Sequence, residues 1–317
     1  MPLPVAVAIW AVIVALAAVY GVFLGYGGPR LALAIGIAAV LFAFEFFLAL
    51  PSVRDLLRSS FGARVGVLAP LIPLGLFLIY SLAIVAGPWL TIVGAAYVIA
   101  PALILSRSVG KSAGTWEDFL AVLVLWLPVE FRLNYRLFPY PQLMTHTLTI
   151  LLALSTGVAA FVILRRLDGV GYAIEWRRGY FATFAILFIV FAAIAIPLGL
   201  YLSFIHWAPS LSRLRAAPMT IIGILFFTAW PEEFLFRGLL QNLLSKTIKN
   251  SWLGLLVAAI IFGFSHILHA PFPNWRYVAL ASIAGFFYGY AWMRTRSLVP
   301  GVLIHALVDI SWHILFR

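Results

Sequence analysis

The chain has 317 residues, of which 64% are hydrophobic and 10% charged, and its mean hydropathy of +1.09 lies far outside the range of soluble domains. Cysteine is absent, which excludes a disulfide framework, a thiolate metal site and a cysteine nucleophile. The net charge of +11 comes from Lys and Arg that sit almost wholly in short gaps between apolar runs, so it is read as a membrane-orientation signal, and no nucleic-acid partner is expected.

Runs of about 17 to 25 apolar residues are long enough to span a ~30 Å hydrocarbon core. They fall at roughly 3–24, 32–50, 65–86, 89–105, 143–164, 180–204, 218–244, 252–268, 277–293 and 298–316. The pattern predicts an all-α, polytopic transmembrane bundle of about ten helices. Gly27-Gly28-Pro29, Pro51-Ser52, Gly87-Pro88, Pro139-Tyr140-Pro141 and Pro271-Phe272-Pro273 all lie in the gaps, as turn residues should. The first run lacks a basic flank and exceeds a signal-peptide core, so it is read as a first spanning helix. Neither end carries a lipidation motif.

One short segment is ambiguous. Thr115-Trp116-Glu117-Asp118 resembles a capping-box start, yet only about eleven apolar residues follow before Pro128, few for a crossing. If the segment crosses, 13 of the 21 Lys and Arg share one side, which puts the N-terminal end in the cytoplasm and the C-terminal end outside. If it does not cross, the division is nearly even and decides nothing. The expected location is integral and multi-pass, in a bacterial plasma membrane, with lipid as the constant partner. No repeat and no soluble domain is visible. Residues 1–205 form a set of spanning helices without a readable role, and 206–317 carry the informative polar residues.

Of the ten acidic residues, Glu45, Glu232, Glu233 and Asp309 lie inside apolar segments, where an ionisable side chain costs roughly 2.5–3.5 kcal/mol on insertion scales. In Trp230-Pro231-Glu232-Glu233-Phe234-Leu235-Phe236-Arg237, helical spacing puts Glu233 and Arg237 one turn apart on one face and turns Glu232 to a neighbouring face. One acid can therefore be neutralised while the other stays available. Pro231 removes a backbone donor and is expected to kink the helix. Phe262 and His266 are also four apart, as are His305 and Asp309, so three helices can direct polar groups into one shared space. A Glu and a His converging on water make a general base, and a second His with an Asp can hold an oxyanion. Amide or ester hydrolysis by activated water follows. Glu232, His266 and His305 could equally ligate zinc, since a carboxylate and two imidazoles are a common catalytic set.

Glu232-Glu233-x-x-x-Arg237, Phe262-x-x-x-His266 and His305-x-x-x-Asp309, in this order and on separate apolar segments, resemble the CAAX prenyl endopeptidase and bacteriocin-processing (ABI) family of intramembrane glutamate proteases. The resemblance covers roughly residues 218–316. It implies a metal-free endopeptidase in which Glu232 activates water with help from His266, His305 and Asp309 form the oxyanion pocket, and Glu233 and Arg237 support them. The implied substrate is a peptide or protein, prenylated in part of the family. The family has Asn or Asp at the last position. Asp309 can donate only when protonated, or else serves to orient His305.

Rival readings attach to the same residues. Glu233 with Arg237 is also what a purely structural ion pair looks like, and a lone His in a spanning helix is often a packing residue. A proton- or cation-coupled transporter, or a bacteriocin self-immunity factor, would use the same groups without cleaving anything. Glu45 in Phe44-Glu45-Phe46-Phe47 stands outside the motifs and is read as structural. Gly285 and Gly289 are read as a close helix contact, and His146, His206, His269 and His313 as interfacial.

Overall fold

The computed structural model describes residues 1–85 and 87–316, and its regular elements are all helical. Twelve rods follow in order: α1 Leu3–Phe23, α2 Gly28–Leu48, α3 Pro51–Phe61, α4 Arg64–Ile84, α5 Pro88–Ser106, α6 Trp116–Glu130, α7 Gln142–Leu164, α8 Tyr180–Tyr201, α9 Leu211–Ile248, α10 Ser251–Phe264, α11 Trp275–Thr295 and α12 Leu298–Leu315. Eight are long and apolar enough to cross a membrane, all except α3, α6, α10 and α11. The chain is thus a polytopic helical bundle. Two of the ten expected spans fall short for different reasons. α10 stops after 14 residues, about 21 Å of helix. α11 has 21 residues but buries ten of them inside the protein, so its sequence need not suit lipid.

Two compact units divide at Asp168 and Gly169. That boundary precedes the 205/206 division drawn from the sequence, because α8 packs with α11 and α12 in the second unit.

In the first unit, α2 packs between α1 and α7. Trp10 Nε1 donates to the Ala39 carbonyl at 2.9 Å, and Ser155 Oγ donates to the Leu41 carbonyl at 3.2 Å. Glu45 is buried at this contact with a hydrogen bond to Ser155, which fits its structural reading. The gap at 51–64 contains α3, begun by Pro51 at its first turn, where proline needs no donor. Arg54 from this helix donates to the Leu48 carbonyl at 2.7 Å and so caps α2.

The short segment runs along the length of the first unit. Thr115 and Asp118 form the capping box at the start of α6, and Arg165 at the end of α7 holds Asp118 at 2.9 Å. Tyr97 in α5 reaches the Leu125 carbonyl at 3.1 Å, which makes α6 antiparallel to α5. At the far end Tyr80 binds the Tyr140 carbonyl at 2.5 Å, and Tyr140 reaches Gly27. The chain between 116 and 141 therefore travels from one end of the unit to the other. α6 supplies about 22 Å of that path, and the turns at 131–141 supply the rest.

In the second unit α11 is the inner helix, packed against α8, α10 and α12. Small residues set its closeness to α10. A Cβ on Gly263 would stand 1.9 Å from Ser282 Oγ and 2.6 Å from the Val278 carbonyl, and one on Gly285 would stand 3.0 Å from the Phe262 ring. The Val278 contact is with backbone and cannot rotate away. Gly263→Ala is therefore expected to cost at the upper end of the roughly 1–3 kcal/mol typical of overpacking, read as a lowered unfolding temperature of the detergent-solubilised protein. An unchanged transition would contradict the packing described.

Candidate active site

The two acids sit in a helix of irregular pitch. Within α9, residues Leu225–Ala229 and Phe234–Gln241 are π-helical, and Trp230–Glu233 between them is a single α-turn. Pro231 cannot donate to the ladder, and the irregularity expected there takes the form of widened turns on both sides within an unbroken rod. Wide turns of this kind recur at functional sites.

Glu233 is fully buried. Its Oε1 lies 3.2 Å from Arg237 Nη1 and accepts from His305 Nδ1 at 2.9 Å, so two cation-capable groups share one oxygen. Arg237, 1% exposed, also donates from Nη2 to the Gly285 carbonyl at 3.1 Å. Its guanidinium lies over the Phe262 ring at 4.5 Å and the Tyr288 ring at 5.3 Å. A charge at this depth is tolerable only when so surrounded. Gly301 makes room for the pair, since a Cβ there would approach Glu233 Oε2 to 3.0 Å.

Glu232 is held differently. Its side chain is 34% exposed, and its Oε2 stands 3.8 Å from His305 Nε2, an ionic contact longer than a hydrogen bond. Asp309 Oδ2 lies 3.5 Å from the same nitrogen. His305 is thus bracketed by three carboxylates, and Tyr288 stacks on it at 4.7 Å and 15°. Each ring nitrogen faces an acceptor, so the imidazole is arranged to donate from both.

His266 occupies a different place from the one its sequence context implied. α10 ends at Phe264, and His266 lies in the tight turn beyond it, its backbone N–H bonded to the Gly263 carbonyl at 3.0 Å. Its Nδ1 bonds the Phe262 carbonyl at 2.9 Å, satisfying a helix-end acceptor. That fixes the proton on Nδ1 and leaves Nε2 as a lone pair. The Phe262 ring stands between the two histidines, with centroids 5.0 Å from His266 and 5.7 Å from His305. Tyr277 packs on the other side of His266 at 4.5 Å.

Five of the six residues singled out in the sequence, Glu232, Glu233, Arg237, His305 and Asp309, form one continuous polar network. His266 joins them through Phe262. Sequence reading missed Tyr288, Tyr277 and Gln241. Gln241 lies one turn beyond Arg237 and donates to the Gly289 carbonyl at 3.1 Å. An aromatic ring or an amide in an apolar helix carries no charge signal, although the Gly285-x-x-x-Gly289 spacing that admits these contacts was visible. Among the described residues no three His, Asp or Glu side chains are grouped to hold a metal ion.

No curated protein and no solved structure matches the chain. A family model does: that of the Rce1-like type II CAAX prenyl endopeptidases matches residues 214–311. The matched stretch contains all six site residues and lies within the second unit, so the part of the chain that builds the polar network is Rce1-like, in agreement with the CAAX prenyl endopeptidase and bacteriocin-processing family.

Proposed function

We propose that this protein is an intramembrane endopeptidase that hydrolyses a peptide bond with water activated by Glu232. The observation that carries this reading is the inequality of two adjacent acids. Glu233 is sealed against Arg237 and His305, while Glu232 keeps a third of its side chain accessible and stands 3.8 Å from His305, beyond hydrogen-bond distance. A structural pair needs only the first of these; a general base needs the second.

In the proposed cycle Glu232 takes a proton from water as the oxygen adds to the scissile carbonyl. His266 Nε2 accepts a hydrogen bond from the same water. His305 donates from Nε2 to the developing oxyanion, its ring oriented by Glu233 at Nδ1 and by Asp309. Glu232 then returns the proton to the leaving amine, and two peptide fragments result. Because His305 supplies the donor, Asp309 acts as an orienting carboxylate and need not be protonated.

The reading is metal-free. Purified protein is expected to cleave membrane-anchored peptides, those with prenylated C-termini being the first to try because the matched family is named for them. Cleavage is expected to survive a strong chelator, and in ¹⁸O-water one label should enter the new carboxylate. Activity lost to the chelator and restored by zinc would replace this reading with one in which Glu232, His266 and His305 bind the metal. No cleavage of any tested membrane peptide would favour the transporter or self-immunity reading.

A further inference from the structure

The polar network is closed at one end of the second unit and open at the other. At the closed end, Leu298 N–H bonds the Gly171 carbonyl at 3.1 Å and Trp292 Nε1 bonds the Val170 carbonyl at 3.3 Å. Gln241, Asn242, Trp292 and Leu298 are buried there. At the open end, Ala208 N–H meets the Leu315 carbonyl at 2.9 Å, and Phe204, Tyr277 and Trp312 cluster with centroids 5.1–5.3 Å apart. Exposure follows the same direction: side chains of Glu233, Arg237 and His305 are 1–4% exposed, those of Glu232 and Asp309 34% and 23%.

Basic residues divide the ends in the opposite sense. The closed-end gaps at 169–179, 245–251 and 294–297 hold six Lys and Arg (Arg177, Arg178, Lys246, Lys249, Arg294, Arg296), against Arg213, Arg215 and Arg276 at the open end and Arg317, which follows α12 in the sequence. The first unit, taken by itself, repeats the bias. Gaps 51–64, 106–118 and 165–168 hold seven, and gaps 24–30 and 131–141 hold three. Positive residues in short loops mark the cytoplasmic side.

We infer that the site opens away from the cytoplasm, so its substrates are peptide segments presented on the outer side of the membrane. The substrate part rests on the endopeptidase reading; the direction of opening does not.

The absence of cysteine makes the test direct. Single variants Ser59→Cys, Thr247→Cys, Ser212→Cys and Trp312→Cys, with Ala270→Cys as a second reporter at the mouth, are expressed in a bacterial host and treated with a membrane-impermeant thiol reagent. Ser212→Cys and the mouth reporters should label in intact cells, and Ser59→Cys and Thr247→Cys only after permeabilisation. The reverse pattern, or labelling of both sets in intact cells, would overturn the inference. An impermeant peptide substrate should be cleaved by sealed right-side-out vesicles and spared by inverted ones, and cleavage by inverted vesicles alone would overturn it. The expected labelling with no cleavage by either preparation would uphold the direction of opening and sink the endopeptidase reading alone.

Discussion

Glu232→Gln is expected to leave the protein inserted and folded while lowering peptide cleavage by about 10²–10⁴-fold, the usual worth of a positioned general base. The substitution keeps the size of the side chain and removes only its ability to take a proton. Little structural cost follows, because Glu232 is partly accessible and its nearest charged partner is 3.8 Å away. Its effect should fall on kcat, with substrate affinity nearly unchanged. Turnover is read by mass spectrometry of the cleaved peptide, and folding by gel filtration and thermal unfolding in detergent. A folded variant that retains full activity would remove Glu232 from the mechanism and return it to packing. A folded variant without cleavage, in a host whose phenotype is unaltered, would separate the activity from any scaffold role.

Arg237→Ala should act by a different route and is expected to destabilise the second unit by about 3–5 kcal/mol, because it strips one partner from a buried carboxylate. Among the described residues Glu233 would then keep His305 as its charged partner, beside Gly301, with the Phe262 and Tyr288 rings facing the space the guanidinium had filled. The companion measurement is the double variant Glu233→Leu with Arg237→Leu. Replacing a whole buried pair by apolar side chains is often neutral for stability, so the double variant should unfold well above Arg237→Ala. Its activity should nonetheless stay low, since His305 loses the acceptor at Nδ1 that orients its ring. Stability and activity recovering together would mean that Glu233 does not position His305.

These contrasting expectations for neighbouring residues show what the sequence could convey. Helical spacing alone separates Glu233 from Glu232, because one has a cation a turn away and the other does not. It also brings His305 and Asp309 to one face. The fold class was legible for the same kind of reason, since lipid imposes long apolar runs on any chain that crosses it.

Other features had no such local cause. That His266 lies just past the end of its helix depends on where α10 stops, and apolar residues resume at Ile267 and Leu268 with no proline before Pro271 to mark the end. That α11 is an inner helix follows from what packs around it. The π-turns flanking Trp230–Glu233 lie on both sides of a proline whose position alone predicts a disturbance without its form. The point at which the compact units divide has no mark in the sequence, because α8 is as lipid-like as any helix of the first unit. Only its neighbours assign it to the second.

The two side chains that α9 sends to the backbone of α11 have a mechanical consequence. Arg237 reaches the Gly285 carbonyl and Gln241 the Gly289 carbonyl, each at 3.1 Å and each one turn beyond the last, like teeth engaged in a rack. Sliding between these helices would break both contacts in a buried place where no water can replace them. The second half of α9 and the middle of α11 therefore behave as one rigid body that carries Glu233 and the ring beneath His305. If the protein takes a substrate as proposed, the movement that admits it falls to what is not so engaged: the stretch of α9 before Trp230, the last turns of α12 and the 265–274 turn. On the endopeptidase reading, a substrate would find Glu233 and the Tyr288 ring already in place, while His266 and Asp309, carried by the movable parts, would close on it last.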